Sequence, residues 1–192
     1  MQAIILTFEL TFCSFTLINW NMSDIIVNKV AESGIITINL EEYLGKNNIK
    51  IFDLKDHLFM GLILKEKEFR AALMQINWED YKNMYTGVTC TADAIIPLWA
   101  YMLVASYVEP FAKKVCIGNE VQVKEQILLH HIDSLDITNF TDKRIVIKGC
   151  GENSVPASAY LAITAKLRPI AKSIMYGEPC STVPIFKQSI KK

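Results

Sequence analysis

Apolar and polar residues follow two rhythms along this chain. Before about residue 84 the short apolar runs are irregularly spaced. After it, β-branched runs of about five residues alternate with longer stretches at helical spacing. Ile35 to Leu40 and Ile49 to Leu54 read as strands, and the Gly45-Lys-Asn-Asn turn signal between them predicts a hairpin. Ser23 is placed to cap a helix over Asp24 to Ser33, with Gly34 as its stop. Lys65 to Ile76 carries Phe69, Leu73 and Ile76 on one helical stripe, and Asn77 is placed to cap a short helix through Tyr81.

The second rhythm is more regular. Strands are predicted over Thr86 to Cys90, Lys114 to Ile117, Arg144 to Lys148 and Ser173 to Tyr176, the last ended by Gly177. Helices are predicted over Pro97 to Val108, Asn119 to Ile132 and Pro156 to Leu167. Asn119 and Gln122 have the spacing of a capping box, and proline suits a first helical turn. Strands alternating with helices imply right-handed crossovers and a largely parallel sheet. The expected fold is therefore an α/β three-layer sandwich built from about Tyr85 onward, flanked by the N-terminal helix and β-hairpin.

Composition narrows the function. Lys+Arg and Asp+Glu both number 20, so no net field draws nucleic acid or an anionic membrane surface. Hydrophobic residues make up 51% of the 192, enough for one domain with a sizeable core. Residues 1–21 are apolar but lack the basic start of a signal peptide, and Glu9 with several Ser, Thr and Asn residues interrupts any membrane span. They are expected to lie outside the fold, with Met22 as the natural start and residues 22–192 as a single α/β domain. The expected compartment is the cytoplasm, where five cysteines are thiols or ligands before they are disulfides.

Three of those cysteines open a similar local phrase: Cys90 before Ile96-Pro97, Cys150 before Val155-Pro156 and Cys180 before Val183-Pro184. The first two phrases continue alike, into Tyr101 and Tyr160, and they are the only internal repeat apparent in the sequence. Both follow a predicted strand and precede a predicted helix. That is the carboxyl edge, where open α/β sheets bind ligands and a helix start favours thiolate. Three convergent thiols would suit zinc with an open fourth position, or an iron–sulfur cluster. Asp93 is the candidate fourth ligand. Glu152, Lys148, Tyr101 and Tyr160 are the candidate lining residues. Against this stands the absence of any paired Cys-x-x-Cys spacing. Separate buried structural cysteines stay open as an alternative, as does a single nucleophilic thiol, Cys150 first. Cys116, mid-strand, reads as core. The adjacent His130 and His131 point about 100° apart on a helix and do not form one site. No phosphate-binding glycine fingerprint is present, so no nucleotide cofactor is expected.

Several longer motifs add a resemblance. Ile36-Thr-Ile-Asn-Leu40, Phe52-Asp-Leu-Lys-Asp56, Gly61-Leu-Ile-Leu-Lys-Glu-Lys67, Thr91-Ala-Asp-Ala-Ile-Ile-Pro-Leu-Trp-Ala-Tyr-Met102, Lys148-Gly-Cys150 and the run from Ala171 to Pro184 stand in the chain. In these the chain resembles a bacterial family known as domain of unknown function 2480, over roughly Met22 to Lys187. The family defines no catalytic residue to carry over. The resemblance implies a role near iron–sulfur cluster assembly, with proteins of that pathway as partners. The expected function is a cytoplasmic metal or iron–sulfur site on Cys90, Cys150 and Cys180. The rivals are a thiol enzyme and a non-catalytic interaction protein.

Overall fold

The β-branched runs do form strands, but they sort into two sheets. The structure is a computed structural model and describes residues 34–45, 47–149, 151, 154–178 and 181–189. The strands among them are β1 Ile35–Asn39, β2 Ile49–Asp53, β3 Tyr85–Thr89, β4 Lys114–Ile117, β5 Arg144–Lys148, β6 Ser173–Glu178 and β7 Ser181–Lys187. The helices are α1 Glu66–Leu73, α2 Leu98–Val108, α3 Glu120–Ser134 and α4 Ala157–Leu167. The expected helix over Asp24 to Ser33 lies outside the described residues. The Asn119 capping box forms in both directions, at 2.9 and 3.1 Å.

One sheet has the order β1-β5-β6-β7 and the other β2-β3-β4; every pairing is parallel except β6 with β7. The α/β class with mostly parallel strands is as expected, but the N-terminal hairpin is not formed. β1 pairs with β5 from Ile35↔Arg144, and β2 pairs with β3 from Ile49↔Tyr85. The local reason is a tight cap at the end of each strand. Asn39 accepts from the Glu41 N–H at 3.3 Å and starts a 3₁₀ turn over Leu40–Tyr43. Asp53 accepts from the Lys55 N–H at 3.0 Å and starts a matching turn over Leu54–His57. Each turn buries its leucine, Leu40 or Leu54, in a different core. The expected last strand is also followed by β7, which turns back antiparallel on β6 with a bulge between Ile174 and Met175.

Three clusters of buried side chains set the layers. Phe69 and Leu73 of α1, with Ala100, Val104 and Val108 of α2, pack with Phe52 and Val88 on one face of the three-stranded sheet. Tyr85 and Cys116 point to the other face, where Val123 and Ile127 of α3 cover them. The next residues of α3, Leu128 and Ile132, instead join Ala159, Ile163 and Leu167 of α4 over β1, β5 and β6. Helix α3 is therefore shared between the two sheets. It approaches β3 so closely that a Cβ on Gly87 would lie 2.7 Å from Val123 Cγ2 and from the Gly118 carbonyl oxygen.

The layers also extend the repeat well beyond the cysteine phrases. Phe69 and Leu73 correspond to Leu128 and Ile132; Ala100, Val104 and Val108 correspond to Ala159, Ile163 and Leu167. Asn83 and Asp142 share a left-handed backbone (φ 59° and 56°), as do Gly118 and Gly177 (114° and 116°), each pair 59 positions apart. From Phe69/Leu128 to Gly118/Gly177 the correspondence needs no insertion. The chain is thus two copies of one helix-strand-helix-strand unit, each completed by one of the two leading strands. The register does not equate the cysteines, because the residue 59 positions after Cys90 is Gly149.

Candidate carboxyl-edge sites

Each sheet has its own carboxyl edge, and in each a carboxylate from a leading strand or its turn holds the loop that follows the central strand. On the three-stranded sheet that carboxylate is Asp53. It accepts the Thr91 backbone N–H at 3.1 Å and the Thr91 hydroxyl at 2.5 Å, besides its own turn's N–H. Burial pulls its carboxyl pKa upward, but the hydrogen bonds from Thr91 and Lys55 and the Lys55 charge outweigh this and hold it below its ordinary value. Cys90, one residue earlier, is half-buried and points its thiol at the Ala92 carbonyl, 3.6 Å away. The Tyr101 phenol lies beside it. Burial, with the Cys90 thiol nearby, raises the Tyr101 pKa. Asp93 is exposed and lines a cavity of about 420 Å³ with Leu62, Ile63, Ile95 and Pro97. His57 sits behind this edge, stacked on Phe52 at 5.2 Å and edge-on to Phe69 at 5.3 Å, and burial lowers its pKa.

On the four-stranded sheet the carboxylate is Glu41, from the turn after β1. It accepts the Gly151 N–H at 2.5 Å. Lys148, at the end of β5, pairs with Glu178 at the end of β6 across 3.6 Å. Tyr160 and Tyr176 meet edge-to-face with centroids 5.7 Å apart. A Cβ on Gly149 would lie 2.6 Å from the Tyr160 hydroxyl. The tyrosine thus fills the space that a side chain at the counterpart of Cys90 would need. Beside this edge a cavity of about 440 Å³ is lined by Leu44, Asn47, Lys124, Glu125, Ser154 and Pro156, among others. The Ser158 hydroxyl donates to Glu125 there.

The expected site residues divide between these edges. Cys90, Asp93 and Tyr101 belong to the three-stranded sheet; Lys148 and Tyr160 belong to the four-stranded one. Cys150, Glu152 and Cys180 lie outside the described residues, as does Cys13. Cys116 is core, as expected, and burial pushes its thiol pKa up. Among the described residues no group of three or more His, Cys, Asp and Glu stands close enough to hold a metal ion. β3, which Cys90 follows, and β5, which precedes Cys150 in the chain, are in different sheets. The strands that do end side by side are β5 and β6. His131 serves the fold, with Nδ1 2.9 Å from the Tyr43 carbonyl oxygen.

Sequence reasoning missed Glu41, Asp53 and Tyr176. The two carboxylates carried one signal, the parallel phrases Asn39-Leu-Glu-Glu-Tyr-Leu44 and Asp53-Leu-Lys-Asp-His-Leu58. A family model described as protein of unknown function (DUF2480) matches residues 24–188. No curated protein and no solved structure matches the chain. Among the described residues no helix is long and apolar enough to cross a membrane.

Proposed function

The chain belongs to the DUF2480 family, and we propose that it uses the carboxyl edge of its four-stranded sheet as a thiol site for zinc or an iron–sulfur cluster. Cys150 follows β5 by two residues, and Cys180 falls between β6 and β7. The observation that carries the reading is the pairing of β5 with β6, whose ends are tied by Lys148 and Glu178. Parallel neighbours stand about 4.8 Å apart, so loops leaving both ends start within reach of one ion or cluster. Glu41, bonded to the residue after Cys150, would supply an oxygen donor or orient the loop. Such a group would supply Lewis acidity or electron-transfer capacity at that edge.

Cys90 plays a separate part in this reading. It ends a strand of the other sheet, beside Tyr101 and Asp93, and is the thiol least suited to share the site. The nucleophilic-enzyme reading is weaker for a physical reason: the Glu41 carboxylate is bonded to Gly151, the residue after Cys150 in the chain, and a nearby anion disfavours a thiolate. The free thiols of Cys90 and Cys116 suit a reducing, cytoplasmic compartment. A role in iron–sulfur cluster assembly, with proteins of that pathway as partners, is the narrower form of the same proposal.

The test is metal and acid-labile sulfide content after purification without oxygen, for the wild type and for Cys150→Ser, Cys180→Ser and Cys90→Ser. Loss in the first two and retention in the third is the expected result. Loss in all three would restore a joint three-thiol site. No bound metal after reconstitution with zinc, or with iron and sulfide, in folded protein would overturn the reading.

A further inference from the structure

The two units differ in how the outer edge of the sheet is finished, and the difference exposes a surface. In the second unit β6 is covered by β7, with Ile174↔Phe186 and Tyr176↔Val183 paired antiparallel. A groove of about 790 Å³ lies between α4 and that hairpin, lined by Ala157, Leu161, Tyr176 and Ile185 among others. In the first unit the matching strand, β4, is the last in its sheet order. The counterparts of Ala157, Leu161 and Tyr176 are Leu98, Met102 and Ile117, and these are 80%, 73% and 65% exposed. Among the described residues no strand covers this edge, and three large apolar side chains beside an uncovered strand form the kind of patch that monomers avoid.

The strand geometry fixes which groups face outward. Gly118 donates its N–H to the Val88 carbonyl at 2.9 Å, so Lys114, Cys116 and Gly118 turn their backbone groups toward β3. Val115 and Ile117 turn theirs away, as Ile174 and Tyr176 do toward β7. One outward acceptor is partly engaged, since Gln126 Nε2 donates to the Ile117 carbonyl at 2.7 Å. That oxygen keeps a second lone pair.

We propose that a second copy of this chain docks on this edge, β4 against β4, about a two-fold axis passing beside Cys116. The arrangement is self-complementary, as a two-fold interface requires. Val115 then exchanges backbone hydrogen bonds with Ile117 of the partner subunit, and the reverse, joining two three-stranded sheets into one of six. Charge fits the same register. Lys114 comes opposite Gly118 and Lys113 opposite Asn119 of the partner subunit, so the basic start of each strand lies beside the partner's α3 start, where Glu120, also paired with Lys124, carries negative charge. Ile117 lies on the α2 side of the sheet, the side on which Val115 packs. The exposed Leu98 and Met102 of both copies therefore close over the junction.

The experiment is sedimentation equilibrium of the full chain from low micromolar to near-millimolar concentration. Val115→Pro removes an outward N–H without touching the β3 ladder, and an edge strand tolerates proline. Two donors are lost per dimer, so dissociation should become easier by about tenfold or more. Met102→Glu, on the exposed face of α2, keeps the test independent of strand folding and should weaken the dimer likewise. Met74→Ala, exposed on the rim of α1, should leave it unchanged. A monomer across the whole range would overturn the proposal. So would a dimer indifferent to both Val115→Pro and Met102→Glu, or an edge that binds an extended peptide strand while the chain stays monomeric.

Discussion

Removing the Asp53 carboxylate should loosen the Cys90 loop and cost measurable stability. Asp53 is the only side-chain link between the β2 turn and that loop among the hydrogen bonds of the described residues, accepting from Lys55, from the Thr91 backbone and from the Thr91 hydroxyl. Asp53→Ala deletes the cap, worth about 1 kcal/mol. It also frees two Thr91 donors, which are solvent-exposed and so contribute only about 0.5 kcal/mol each. The total is about 2 kcal/mol. For a chain of this size that lowers Tm by roughly 4–8 °C. Asp53→Asn keeps an acceptor for the backbone donors and should lose about half as much. The pH dependence gives an independent check. The folded carboxyl titrates below its ordinary 3.8, so its stabilisation is present above that value and is lost as pH falls through the folded pKa. Acid unfolding of Asp53→Asn should lack this component. Site-resolved alkylation by mass spectrometry should show Cys90 reacting faster in Asp53→Ala and unchanged in Asp53→Asn. A Tm within 1 °C of wild type for Asp53→Ala, or equal losses for Ala and Asn, would refute the reasoning.

Three further outcomes follow from the core and the shared helix. Gly87→Ala should cost about 1–3 kcal/mol by chemical denaturation, because its Cβ would be 2.7 Å from the Gly118 carbonyl oxygen, a backbone atom that cannot give way cheaply, and 2.7 Å from the buried Val123 Cγ2. His57 titrates below its ordinary 6.5 because the folded chain buries it, so its contribution is present above that value and lost as pH falls toward the folded pKa. His57→Phe should remove that part of the stability profile, and an NMR titration of the ring checks the direction. Ile127→Ala and Leu128→Ala, about 100° apart on α3 and packed in different cores, should each cost about 2–5 kcal/mol. Both should shift one cooperative calorimetric transition, since α3 belongs to both cores; two separately moving transitions would show that the units unfold apart.

Strand and helix periods were legible from Tyr85 onward because each element there has its own apolar face and its own stop. What the sequence left open was pairing. β1 and β2 are adjacent, β-branched and separated by a turn signal, which is the pattern of a hairpin. Nothing in either run says that its partner lies 36 or 109 residues away at Tyr85 or Arg144. The sign that each strand belongs to a different copy of the unit sits in the residues after the strands. Asn39 and Asp53 both cap a turn whose leucine is buried, so the two strands are equivalents, and equivalents complete different copies instead of pairing with each other. β7 was hidden for another reason. Its Pro184 reads as a loop residue, yet an outermost strand can hold a proline where the ladder slips at a bulge. The cysteine phrases were seen first because they are chemically conspicuous, but Cys90 and Cys150 are one position out of register with the 59-residue repeat. The unit conserves its buried positions, Ala100 with Ala159 and Val104 with Ile163, and leaves its loop chemistry free to differ. A duplicated scaffold of this kind can carry a thiol site on one carboxyl edge and a different arrangement on the other. That is why similarity between the two loops argued poorly for one shared site, and why the neighbouring ends of β5 and β6 argue better.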